Sequence, residues 1–183
     1  MKKWKVLESK YVLENPYFKV KSERVELGNG KIVEEFLYWE EGHVVATVAV
    51  TKEQEVVLVK QYRHGYGDFI IELPAGFIDE GEDRDVAVER ELSEETGYKG
   101  EKVTFLGELV NKAGKSTGRV YLYLIEGIVQ DSDQHLDETE DIEVMKVPYR
   151  KALEMIRNGE IVQSATIAGI YKAADKLGII KNG

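Results

Sequence analysis

Gly76-Phe77-Ile78-Asp79-Glu80-Gly81-Glu82-Asp83-Arg84-Asp85-Val86-Ala87-Val88-Glu89-Arg90-Glu91-Leu92-Ser93-Glu94-Glu95-Thr96-Gly97-Tyr98 is the stretch that decides how the rest of the chain is read. Its second half predicts a helix over 86–96, with Gly97 as a left-handed stop just past the end. On such a helix Glu91 and Glu95 stand one above the other, and Glu94 is their neighbour on the adjoining face. Like charges at that spacing cost a few tenths of a kcal/mol per pair. A helix that concentrates them is either a solvated acidic face or a holder of a shared cation. Carboxylate oxygens are hard ligands, which suit Mg²⁺, Mn²⁺ or Ca²⁺ rather than zinc.

The spacing favours the cation. Gly76, Glu82, Arg90-Glu91-Leu92, Glu94-Glu95 and Gly97 resemble the Nudix box of the Nudix hydrolase superfamily at every polar and glycine position. The one departure is Tyr98, at a packing position usually held by a bulky aliphatic. The resemblance implies an α+β Nudix fold: a mixed β-sheet flanked by helices in an α/β/α sandwich. It also implies hydrolysis of a diphosphate linkage with Mg²⁺, or Mn²⁺ in its place. Divalent cations bridge the diphosphate oxygens, neutralise the leaving charge and acidify a bound water. Glu91 and Glu95 are the principal expected ligands. Glu94 would ligate or orient, and Glu82 would join through water or hold a loop. The carbonyl of Ala75, just before the box glycine, is a further ligand by resemblance. Arg90 is expected to pair with a box carboxylate and fix its rotamer.

Outward from the box, Phe69–Leu73 reads as a short strand leading into Glu72-Leu73-Pro74-Ala75-Gly76. This run is similar to the Glu-Leu-Pro-Ala-Gly of the branch acting on ADP-ribose and other nucleoside diphosphate sugars, where the glutamate tends to touch substrate. Residues 43–51 and 55–62 are β-branched strands around the polar turn Lys52-Glu53-Gln54. The second ends in Lys60-Gln61-Tyr62-Arg63, again similar to that branch. Arg63 is a surface ion-pair partner or, as the resemblance implies, a phosphate contact. His64 is read as structural.

Beyond the box, residues 102–110 and 119–126 read as strands. The loop between them, Asn111 to Gly118, offers Lys115 for diphosphate or ribose, or is a plain hairpin loop. Ala113 stands where the branch's Ser-Pro-Gly-like turn carries proline, which weakens the case for ADP-ribose in particular. The acidic run from Gln130 to Asp141 is solvated surface unless Glu138-Thr139-Glu140-Asp141 plays the part of the branch's Glu-x-Glu-Asp loop, which supplies a general base or further ligand. Glu138 is the first candidate there and Glu140 the second; His135 is a weaker substrate contact. A last strand over 142–147 precedes a helix with Pro148 at its first position, stopped at Asn158-Gly159. An amphipathic helix over 161–177 follows.

The first forty residues look like β structure, with a hairpin of Tyr17 to Leu27 and Ile32 to Trp39 around Gly28-Asn29-Gly30. One apolar face of a hairpin must be covered, by its own chain or by a partner, and the resemblance implies a homodimer built with it. The organisation expected is a dimer-forming β extension over 1–40 and a Nudix hydrolase domain over 41–183. Trp39 is a candidate base-stacking residue or a packing residue.

Composition bounds the rest. The 183 residues are 43% hydrophobic, carry a net charge of −9 and contain no cysteine. That balance argues against nucleic acid and anionic membrane as partners. Disulfides and thiolate metal sites are excluded. No apolar run approaches a membrane span and no signal-peptide core is present, so the cytoplasm is the expected compartment. The function expected is Mg²⁺-dependent cleavage of a nucleoside diphosphate sugar, ADP-ribose ahead of GDP-mannose or UDP-glucose, giving a nucleoside monophosphate and a sugar phosphate. A non-catalytic nucleotide-sugar sensor on the same fold is the alternative, which the intact box argues against.

Overall fold

The computed structural model describes residues 1–16 and 18–180. Tyr17, where the expected hairpin begins, lies outside them, as do the last three residues. The chain forms two compact units, Met1–Gly42 with Val110–Arg119, and His43–Leu109 with Val120–Gly183.

The first unit is an antiparallel three-stranded sheet in the order β1 (Lys5–Glu14), β2 (Lys19–Glu26), β3 (Ile32–Glu40). The expected turn closes β2 onto β3: Leu27 N–H donates to Lys31 O at 2.8 Å, and Gly30 takes φ 83°. Strand β1 adds to the expected hairpin. Its sequence hides it, because irregularities between Val6 and Glu8 and between Tyr11 and Leu13 interrupt the alternation a strand should show. The 110–119 loop lies along β3, with Trp39 N–H donating to Lys115 O at 2.9 Å and Thr117 N–H to Trp39 O at 3.2 Å.

The second unit is built on a seven-stranded sheet. Its elements are β4 (Val44–Val50), β5 (Glu55–Arg63), β6 (Asp68–Glu72), β7 (Ala75–Phe77), α1 (Arg84–Thr96), β8 (Tyr98–Lys99), β9 (Lys102–Leu109), β10 (Val120–Glu126), β11 (Val129–Gln130), β12 (Ile142–Pro148), α2 (Tyr149–Arg157) and α3 (Ser164–Lys176). The order is β12-β5-β4-β10-β9, with β6 on β5 and β7 on β4; β4 and β10 are parallel and the other pairings antiparallel. Strands β8 and β11 make a separate two-stranded ribbon.

Alternation along β4 sorts the two cores. Val45 and Ala49 face Ala87, Val88 and Leu92 of α1, while Ala46, Val48 and Val50 face Leu153 of α2 and Ile170 and Ala174 of α3. The mixed sheet is thus covered on both faces, an α+β sandwich. Among the described residues no helix is long and apolar enough to cross a membrane.

A fork in this sheet positions the site. Strands β4 and β5 pair only at Ala49–Val57 and Val50–Val56, then part. β6 takes the vacated edge of β5 from Val59 to Arg63, and β7 takes that of β4 from Val44 to Ala46. The link Leu73-Pro74 joins them, tied by Thr47 N–H to Pro74 O at 3.0 Å and by Leu73 N–H to the buried Thr166 hydroxyl at 3.0 Å.

Boundary differences have local causes. Helix α1 starts at Arg84, because the Asp83 carboxylate accepts from Asp85 N–H at 2.8 Å and caps it. Pro148 is the N-cap of α2 rather than its first helical residue, with ψ 138° still extended. Helix α3 starts at Ser164 rather than near Ile161, because the Gln163 side chain accepts from Thr166 N–H at 2.6 Å.

Candidate active site

The helix expected from the sequence carries Glu91, Glu94 and Glu95, Glu82 stands just before it, and the structure shows how each is held. Arg90 is the hub. Its Nε and Nη2 fork onto Glu82 at 2.9 Å each, Nη1 donates to Glu91 at 2.7 Å and to Glu94 at 2.9 Å, and Nη2 also reaches the Phe77 carbonyl at 3.0 Å. A planar guanidinium has the donors for this; an ammonium does not. Glu82 also accepts from Asp79 N–H at 3.1 Å, which makes it a loop holder. The Arg90 guanidinium, with that N–H, holds the Glu82 carboxyl down at about 2.

Glu91 and Glu95 are treated differently. Glu91 lies against Gly76, where a Cβ would overlap its carboxyl group. The box glycine therefore lets the Glu91 carboxylate lie against the β7 backbone. Burial pushes the Glu91 carboxyl up, against the pull of Arg90. Glu95, 3% exposed, accepts from Ala75 N–H at 2.9 Å. Burial pushes it up to about 8; Ala75 N–H opposes this, and the charges of Glu91 and Glu140 add to it.

This donor set fits a hard divalent cation. It is all oxygen, with Glu95 buried and Glu91 half-buried. Among the described residues no three acidic or histidine side chains already converge on one point. Glu82, Glu91 and Glu94 instead meet on the Arg90 guanidinium.

The acidic loop is docked on the last turn of α1. Asp131 and Ser132 N–H donate to Gly97 O at 2.9 and 3.1 Å, and His135 N–H donates to Glu94 O at 2.9 Å. The carbonyls that a helix leaves unpaired at its C-terminus are thus satisfied by this loop. Glu140 is half-buried, its carboxylate accepts from Asp137 N–H at 3.0 Å, and its charge reaches both Glu91 and Glu95. Glu138 is exposed. The two candidates thus differ in burial, the first exposed and the second half-buried. His135 enters the site region through its backbone.

Arg63 leaves the end of β5 and donates through Nε and Nη2 to one Glu72 oxygen, both at 2.8 Å. Glu72 is nearly covered while Arg63 is half exposed, so the acid anchors a guanidinium whose outer edge meets solvent. Trp39 and Lys115 belong to the first unit. There Lys112 Nζ sits 5.1 Å from the Trp39 ring, while Lys115 Nζ donates to Leu37 O at 3.0 Å and lies 4.6 Å from the Phe36 ring. Gln134, which no sequence pattern marks, is the residue missed: its side-chain amide donates to Glu95 O at 2.7 Å and to Ile142 O at 3.2 Å.

Residues 41–165 match the model described as the NUDIX domain, and residues 4–36 match one described as the nucleoside diphosphate sugar hydrolase N-terminal domain. The chain is 34% identical over 172 residues to an ADP-ribose pyrophosphatase of Bacillus subtilis (strain 168), spanning 91% of this chain and 92% of that one. It is 30% identical over 167 residues to a methanol dehydrogenase activator of Bacillus methanolicus, spanning 91% and 90%. It is 32% identical over 170 residues to a GDP-mannose pyrophosphatase of Salmonella arizonae, spanning 85% and 87%. A solved structure described as an ADP compounds hydrolase shares the fold, with a TM-score of 0.85 over 97% of this chain and 96% of that chain at 20% identity. A domain model that covers most of the sequence, over a helix that presents Glu91, Glu94 and Glu95, places this chain in the Nudix hydrolase family.

Proposed function

We propose that this chain hydrolyses the pyrophosphate bond of nucleoside diphosphate sugars with Mg²⁺, giving a nucleoside monophosphate and a sugar phosphate, and that ADP-ribose is its foremost substrate. The observation that carries the reading is the carboxylate set of α1, hung on Arg90 and on Ala75 N–H beside the half-exposed Arg63. ADP-ribose pyrophosphatase is the name of a relative that spans nearly the whole chain. A relative of comparable span named GDP-mannose pyrophosphatase keeps GDP-mannose as the second substrate. The absence of cysteine and the net charge of −9 suit a cytoplasmic enzyme.

Glu91, Glu95, Glu94 and the Ala75 carbonyl would hold the cation, with Glu82 steadying Arg90 behind them. When bound, the cation neutralises diphosphate charge and acidifies the attacking water. Arg63, kept rigid by Glu72, binds a phosphate through its outer edge. Glu140 takes the proton of the attacking water onto its carboxylate. It is the carboxylate outside the box whose charge is felt at both Glu91 and Glu95.

A panel of ADP-ribose, GDP-mannose and UDP-glucose, assayed by phosphatase-coupled phosphate release with and without Mg²⁺, tests the reading. ADP-ribose should turn over fastest, and only with the cation. Metal-independent turnover, or turnover of none of the three, overturns it.

A further inference from the structure

The loop between β11 and β12 has a neck, and one side chain closes it. Asp131 and Ser132 leave the helix end on hydrogen bonds to Gly97 O, and the loop rejoins the sheet at Ile142, which pairs with Gln61 of β5. Between these points Gln134 turns its amide back and donates to Glu95 O at 2.7 Å and to Ile142 O at 3.2 Å. One carbonyl belongs to the last turn of α1, the other to the first residue of β12. An amide nitrogen has two hydrogens, and both are used.

What the neck carries is Glu140, two residues before Ile142. Its main-chain N–H donates to Asp137 O at 2.9 Å and its carboxylate receives Asp137 N–H at 3.0 Å, so residues 137–140 form a small closed ring. That ring is fixed internally. Among the described hydrogen bonds, it is tied to the helix through His135 N–H to Glu94 O and through the Gln134 amide. Of these, only Gln134 also holds the exit of the loop.

We infer that Gln134 is a positioning residue for the reaction: its amide fixes the distance from Glu140 to the carboxylates of α1. The inference rests on the reading of Glu140 as the group that takes the proton. A displacement of about 1 Å at such a group costs on the order of 10²-fold in rate. Substrate binding, which uses Arg63 on another strand, should be little affected.

The test measures kcat and KM for Gln134→Ala, Gln134→Glu, Glu140→Gln and the double variant Gln134→Ala/Glu140→Gln, with hydrogen exchange of the folded protein. Gln134→Ala is expected to lower kcat about 10–100-fold with KM within about threefold. It should add nothing in the Glu140→Gln background, because the group it positions is gone. Exchange should rise at residues 131–142 and stay unchanged in the middle of α1, which separates a loosened loop from a misfolded protein. Gln134→Glu cannot donate once ionised, so it should resemble the alanine variant. If Glu140→Gln is impaired while Gln134→Ala keeps wild-type kcat, the positioning role is overturned and the reading of Glu140 stands. The role is also overturned if the two substitutions multiply in the double variant. If Glu140→Gln itself turns over normally, the reading of Glu140 fails and the inference falls with it.

Discussion

At Gly76 a missing methyl group decides where a carboxylate can stand. A Cβ there would overlap the Glu91 carboxyl group, so Gly76→Ala must displace either Glu91 or strand β7. The atoms it would meet are the far end of a flexible side chain, so the carboxylate moves at small cost to stability and its place at β7 is lost. The expected outcome is a folded protein with lower thermal stability and a larger loss of turnover than of stability, read by calorimetry and a phosphate-release assay. Glu95 is under the opposite constraint, buried at the fork with its carboxyl raised to about 8 from an ordinary value of 4.5. A raised folded-state value means the neutral acid favours folding, so that contribution is complete below about pH 4.5 and lost as the pH rises through 8. Glu91 is shifted in the same direction. The depressed Glu82 acts only below this window, since its contribution is lost as the pH falls toward 2. Metal-free protein should therefore melt at a lower temperature at pH 8 than at pH 5, and Glu95→Gln should flatten that difference, since an amide still accepts from Ala75 N–H. The same variant should lose on the order of 10²-fold or more in Mg²⁺-supported turnover, more than groups behind the ligands typically cost. A pH dependence of melting identical to wild type would show that Glu95 ionises freely at the fork. Between the two loop acids, Glu140→Gln should lower kcat by roughly 10²–10⁴-fold and Glu138→Gln should leave it near wild type; equal losses in steady-state assays would return the exposed Glu138 to the chemistry.

At the scale of elements, legibility followed locality. Helix α1, its stop at Gly97 and the strands β4, β5, β9, β10 and β12 could be read because apolar periodicity and glycine punctuation are written within the segment. Strand β1 could not, since its two irregularities break the alternation. The short strands β7, β8 and β11 could not either, because runs of two or three residues are defined by their partners. The same limit held for the site. The spacing of the box announced Glu91, Glu94 and Glu95, but whether Glu138 or Glu140 faces them depends on the turn at 137–140, and the part played by Gln134 depends on a helix end far away in sequence. That junction makes Gly97 more than a stop. It sits at φ 72°, and a Cβ would collide with Ser132 O of the docked loop. Gly97→Ala should therefore cost more than the roughly 1 kcal/mol of a left-handed alanine. Hydrogen exchange at residues 131–135 should accelerate; protection equal to wild type there would mean that the loop does not depend on the helix terminus.

Over the whole molecule, the feature still to be satisfied is the first unit's sheet. β3 is lined by the 110–119 loop through Lys115 and Thr117, but β1 is the outer strand on the other side, and a bare outer strand presents a row of N–H and C=O groups ready to pair. Val6, Tyr11, Val12 and Leu13 of β1 are each at least 44% exposed, with Trp4 and Phe18 flanking them. An apolar strand left in that condition on a protein of net charge −9 needs a cover. A second copy of the chain is the cover we propose, in line with the homodimer expected from the sequence. Light scattering at micromolar concentration should give twice the 20.8 kDa chain mass. Charges placed on the strand, as in Val12→Asp with Leu13→Lys, should halve that mass without unfolding the second unit, whose core contains neither residue. Two results would count against the proposal: a wild-type monomer at that concentration, or a dimer that survives both substitutions, which would move the interface away from β1.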